Sequence, residues 1–136
     1  GPGLVAVGNH QVSIGGAGNT AVWVSSDGLT WTRVPHDEEV LGGNSEQTVG
    51  AIASGVGGLV IVGFDAMSGE FGATVVWTSP DGVTWTRSPH DEAMTLWPSS
   101  VTPLGSGWVA VGHILTSDRE SMDEAAIWTW TPDSGT

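Results

Sequence analysis

An all-β fold is what this sequence predicts, and three observations predict it. Twenty-one Gly and seven Pro in 136 residues call for many tight turns. Eight Trp accompany short runs of β-branched residues, and no window carries an apolar stripe of helical period between caps. One segment also recurs along the chain, so the fold is built from copies of a single supersecondary unit. Hydrophobic residues make up 39% and charged residues 13%, which excludes a disordered acidic tail and a coiled coil.

The repeat is explicit. Val22-Trp23-Val24-Ser25-Ser26-Asp27-Gly28-Leu29-Thr30-Trp31-Thr32-Arg33 returns as Val76-Trp77-Thr78-Ser79-Pro80-Asp81-Gly82-Val83-Thr84-Trp85-Thr86-Arg87, and Pro35-His36-Asp37-Glu38 returns as Pro89-His90-Asp91-Glu92. A third copy starts at Ile127-Trp128-Thr129 and runs through Thr131-Pro132-Asp133-Ser134-Gly135. Upstream of the copies lie Leu4-Val5-Ala6-Val7-Gly8, Leu59-Val60-Ile61-Val62-Gly63 and Trp108-Val109-Ala110-Val111-Gly112. The copies divide the chain at about 4–46, 47–98 and 99–136, within one domain over 4–136. Gly1-Pro2-Gly3 reads as a cloning scar outside the fold.

The central copy predicts four antiparallel strands. Thr48–Ala53 is a short apolar strand that ends at the Gly-rich turn Gly55–Gly58. Leu59–Phe64 is a continuous apolar run, which suits a strand buried on both faces. A polar loop around Ser68-Gly69-Glu70 leads into Ala73–Ser79, and Pro80-Asp81-Gly82 turns the chain into Thr84–Ser88. Four short strands in about 50 residues are the size and content of one β-propeller blade. The whole chain then holds about ten strands, or about two and a half blades. Val5, Val7, Val22, Val60, Val62, Val76, Val109, Val111 and Ile127 are the expected inward cores, with Trp31 and Trp85 packed over the turns.

Those turns carry a family resemblance. Ser25-x-Asp27-Gly28-x-Thr30-Trp31 and Ser79-x-Asp81-Gly82-x-Thr84-Trp85 resemble the Asp-box, or BNR repeat, of sialidase-like and sortilin-like β-propellers. That family's pattern is Ser/Thr-x-Asp-x-Gly-x-Thr-Trp, so both copies are one residue short between Asp and Gly. Thr131-x-Asp133-x-Gly135 keeps the family spacing and lacks the Trp. The resemblance covers essentially the whole chain from Leu4, and it implies that each box is the turn between the third and fourth strands of a blade.

The residue types of the box need no catalytic role. Asp accepts backbone N–H bonds within its own turn, Gly supplies a positive φ, and Ser or Thr adds a second local bond. The sialidase relationship implies an arginine triad, a Tyr–Glu pair and an aspartic acid–base. This sequence has no Tyr, and two of its three Arg, Arg33 and Arg87, occupy equivalent repeat positions. No catalytic residue is therefore assigned, and a fragment of a glycoside-processing enzyme is the alternative reading. His36-Asp37-Glu38-Glu39 and His90-Asp91-Glu92 offer ligand types for a divalent ion. Adjacent residues on an extended loop point in different directions, so no metal site and no cofactor are expected. His10 and His113 follow equivalent strands and read as ordinary surface positions.

Charge limits the partners. Arg33, Arg87 and Arg119 stand against fifteen acidic residues, for a net charge of −12. A phosphate-binding surface needs clustered Lys and Arg, so nucleic acid and anionic membranes are excluded as partners of the lone chain. No apolar run is long enough to span a bilayer. With no Cys there is no disulfide framework and no thiolate metal site. The acidity favours a saline or extracellular setting.

Two expectations concern partners. The loops that differ most between copies, Asn9–Thr20, Asp65–Gly72 and His113–Ala125, all follow a repeat's second strand. They should project from one face and recognise a protein or glycan. The repeat is also interrupted at both chain ends, as in a fragment or excised set of blades, which leaves open edges and apolar faces. The expected partner is the chain itself, in a head-to-tail homo-oligomer, with a dimeric ring of about five or six blades favoured.

Overall fold

Side chains alternate between the two faces of a strand, so a continuous apolar run such as Leu59–Phe64 must be covered from both sides. The computed structural model describes residues 3–11, 18–35, 40–41, 47–65, 73–87, 96–114 and 124–130. Its ten strands form three antiparallel sheets, with no helix among the described residues. The first sheet holds β1 (Leu4–Gln11), β2 (Gly18–Ser25) and β3 (Thr32–Arg33) in that order. The second holds β4 (Gln47–Gly55), β5 (Gly58–Asp65), β6 (Ala73–Ser79) and β7 (Thr86–Arg87). The third pairs β8 (Leu96–Leu104), β9 (Gly107–Ile114) and β10 (Glu124–Trp130), with β9 in the centre.

The fold is all-β, as expected, and the repeat carries one register through all three sheets. Val62 faces Val76 across β5 and β6, Val7 faces Val22 across β1 and β2, and Val111 faces Ile127 across β9 and β10. The strand limits differ from expectation at the ends. β4 extends to Gly55, the tight turn narrows to Val56-Gly57, and Thr84 stays in the preceding turn, which leaves β7 only two residues. The third sheet begins at Leu96. Gly3 takes part in the fold: its φ is 108° and it lies against the Ser25 carbonyl, as Gly58, with φ 121°, lies against that of Ser79.

Two edge strands, β4 and β8, carry a bulge that the repeat preserves. Gly50 is the extra residue of β4 between Val49 and Ala51, and Ser99 is that of β8 between Pro98 and Ser100. The bulges bring a carbonyl over the neighbouring strand, where Gly63 and Gly112 end the Val-rich motifs. A Cβ at Gly63 would collide with the Thr48 carbonyl, and one at Gly112 with the Trp97 carbonyl. β4 and β8 also approach closely across sheets, since a Cβ at Gly50 would collide with the Pro98 carbonyl.

The second sheet is the middle layer. Its Ile61, Val75 and Trp77 pack toward the first sheet with Val22, Val34, Leu41 and Trp85. Its Val60, Val62 and Val76 pack toward the third with Val101, Trp108 and Ala110. Side chains of this size contribute about 1.5–3 kcal/mol each when fully buried. The expected cores at Val22, Val60, Val62 and Val76 are buried, while Val5, Val7 and Val109 are half-buried.

Three expected core positions are not buried. Val111 is 41% exposed, Ile127 75% and Trp31 42%, whereas Val62, Val76 and Trp85, their repeat equivalents, are 0%, 5% and 7% exposed. The reason is position in the stack. Val62 and Val76 are covered by the third sheet, and nothing among the described residues lies beyond Val111 and Ile127. Trp85 is covered by Val34 and Leu41 of the preceding repeat, and no repeat precedes Trp31 among the described residues.

Candidate functional site

The singled-out residues form two turns of nearly identical geometry, each joining the last two strands of a sheet. In the first, the Ser25 hydroxyl donates to Asp27 Oδ1 at 3.1 Å. Its oxygen accepts from the N–H of Asp27 at 3.3 Å and of Gly28 at 2.8 Å. Asp27 Oδ1 accepts in turn from the N–H of Leu29 at 2.8 Å and of Thr30 at 2.9 Å. In the second, Ser79 donates to Asp81 Oδ1 at 3.1 Å and accepts from Asp81 and Gly82 N–H at 3.3 and 2.8 Å. Asp81 Oδ1 accepts from Val83 and Thr84 N–H at 2.9 and 2.7 Å. The turn requires a left-handed residue after Asp, and Gly28 and Gly82 supply it at φ 81° and 83°.

The bonding fixes the chemistry of the carboxylates. Backbone N–H donors at Thr30 and Leu29, then the Ser25 hydroxyl, hold the Asp27 carboxyl below its ordinary value. Thr84 and Val83 N–H do the same for Asp81. Each carboxylate is thus kept ionised, with Oδ1 held by its own turn, which does not suit a general acid. In the second turn Trp85 closes the structure by donating Nε1–H to the Gly82 carbonyl at 3.0 Å. Trp31, the first turn's equivalent, is exposed. Thr131, Asp133 and Gly135 lie outside the described residues, as do His36-Asp37-Glu38-Glu39 and His90-Asp91-Glu92.

The two repeated arginines share one placement. Arg33 lies over the Trp23 ring and Arg87 over the Trp77 ring, each with its guanidinium carbon 5.9 Å from the ring centroid. Among the described residues, Arg87 alone of the two reaches further along its sheet, to a salt bridge with Asp65. Asp65 is buried, and the residue at its place in the first repeat is His10.

The positions around His113 form a stack the sequence reading missed. Trp97 stacks on Phe64 with centroids 4.6 Å apart and on His113 at 6.2 Å. Phe64 is buried, and His10 and His113 are half-buried instead of ordinary surface residues. Trp97 and His113 are opposed on neighbouring strands and Phe64 belongs to the next sheet, so no single-strand pattern carried the stack.

Clefts open between the sheets at the turn end. One of about 460 Å³ between the first and second sheets is lined by Leu4, Val5, Ile52, Ala53, Leu59 and Pro80, among others. One of about 240 Å³ between the second and third is lined by Val56, Leu59, Thr78, Pro80, Thr86 and Trp108, among others. Neither lining includes an ionisable side chain. Among the described residues no group of three or more His, Asp or Glu side chains gathers as a metal site.

No protein-family model matches this sequence, and no curated protein matches it. Fold and turns define the class: an all-β repeat protein of stacked antiparallel sheets.

Proposed function

We propose that this chain is a non-catalytic β-propeller-type scaffold of Asp-box repeats that assembles with copies of itself. It recognises a protein or glycan through the loops at one end. The observation that carries the reading is the pair of matched turns, in each of which the carboxylate Oδ1 is held by the turn's own backbone. A carboxylate so engaged stabilises the repeat and has no proton to give near neutral pH. The two clefts at the turn end do not offer the two carboxyl groups flanking one bond that glycoside hydrolysis needs.

The recognition end is argued from strand ends. β4 begins at Gln47 opposite Asp65, where β5 finishes, and Gly18 lies beside the Gln47 carbonyl. The Phe64–Trp97–His113 stack brings the ends of β5 and β9 together. The strand ends that flank the three most divergent loops gather at one end of the stack, which supports a recognition role for those loops. A glycan array probed with the chain, and with a variant shortened at 12–17, 66–72 and 115–123, tests this. Binding by the first and not the second is the expected result. Turnover of a fluorogenic glycoside, abolished by one carboxylate substitution, would replace the reading with an enzymatic one.

A further inference from the structure

Inside the chain, consecutive sheets meet by a fixed pairing of faces. The leading face of the second sheet presents Val60, Val62 and Val76, and the trailing face of the third receives them with Trp108, Ala110 and Ala126. The sequence repeat places the same kinds of side chain on the two outer faces. Val109, Val111 and Ile127 occupy the leading positions of the third sheet. Leu4, Ala6 and Trp23 hold trailing positions of the first. Both faces are open: Ile127 is 75% exposed, Val111 41% and Leu4 51%. Exposed apolar side chains grouped on one face mark a contact surface, and here the matching surface belongs to the same chain.

We propose that a second copy of this chain seats its Leu4–Trp23 face on the Val111–Ile127 face, continuing between copies the sheet contact made within each. This rests on the scaffold reading above and specifies its self-assembly. The two faces differ, so the contact is head-to-tail. Closure of two copies, each of three sheets, makes a ring of six, within the range of roughly four to eight sheets that such rings hold. Each copy carries −12, so repulsion opposes the contact and salt strengthens it by screening.

The polarity gives the test. Ile127→Asp places a charge on the leading face, and Leu4→Glu on the trailing face, at the rim of the cleft between the first and second sheets. Both sites are exposed in a single copy, so each variant should melt close to the parent. In sedimentation equilibrium the parent chain associates more tightly as salt rises, and each variant alone loses at least about tenfold in association. Mixed, the two variants form a one-to-one dimer and nothing larger, because one intact leading face meets one intact trailing face. If Leu4→Glu destabilises the fold, Ala6→Glu on the same face takes its place in the mixture. Should either variant alone associate like the parent, or the mixture stay monomeric, the head-to-tail contact is overturned. A folded parent chain that remains monomeric at all salt concentrations overturns it too. The non-catalytic reading of the Asp-box turns would survive that result without its self-assembly, since it fails on glycoside turnover instead.

Discussion

Arg87 donates from Nη2 to Asp65 Oδ2 across the second sheet, and lies over the Trp77 ring on the way. Asp65 is only 4% exposed at its side chain and Arg87 22%. Removing Arg87 takes a cationic partner from a buried carboxylate, whereas the pair itself contributes less than its loss costs. Arg87→Ala is therefore expected to lower unfolding stability by about 3 kcal/mol, the low end of the usual range because Arg87 is partly hydrated. Arg33→Ala, at an exposed site, should change it by no more than about 0.5 kcal/mol. Urea titration of both variants makes the comparison. Equal losses would mean that the Asp65 contact contributes nothing beyond the stacking that both arginines share.

The paired tryptophans give a second contrast. Trp85 is buried against Val34 and Leu41 and bonded to Gly82, while Trp31 is exposed. Trp85→Ala should cost about 3–5 kcal/mol and Trp31→Ala less than about 1 kcal/mol. Thermal melts of the two variants suffice, and an unchanged melt for Trp85→Ala would remove that ring from the core.

Glycine at the end of the second-strand motif is a steric requirement in two repeats and not in the first. Gly112→Ala drives a methyl group into the Trp97 carbonyl and should cost about 1–3 kcal/mol. Gly8→Ala meets only the Trp23 ring, at 3.5 Å, and should be neutral or slightly stabilising, since alanine restricts the unfolded chain. Denaturant midpoints that fell equally for both would show that the close approach at the bulge is absent.

Acid should act on the two turns. Asp27 and Asp81 have folded pKa values held below the ordinary aspartate value. Their contribution is complete above the unfolded pKa, near 4, and is lost as pH falls through the lower folded value. Asp81→Asn keeps an oxygen acceptor without the titration. Its melting temperature should lie below the parent's at neutral pH, with the gap narrowing as pH drops below about 4. A gap that stayed constant down to the acid limit would show that the charge of Asp81 contributes nothing to the turn.

Local chemistry was legible in the sequence wherever it depended on neighbours along the chain. The Ser-x-Asp-Gly turns, the strand at Ala73–Ser79 and the double-sided burial of Val60, Ile61 and Val62 follow from turn preference and alternation. Contacts between strands left no such trace. Asp65 and Arg87 lie 22 residues apart and no period links them, and Trp97 meets Phe64 and His113 only because β8 packs beside β5 and β9.

Taken alone, the amino-acid sequence determined that this is an all-β chain with one strand–turn unit repeated in one register, because those properties reside in short-range sterics and hydrogen bonding. It could not assign burial to equivalent residues. Val62 and Val111 share a motif, and so do Trp85 and Trp31, yet one of each pair is buried and the other exposed. Burial is a property of what lies across the interface, and the tertiary structure alone decides it: the middle sheet is covered on both faces and the outer sheets on one each.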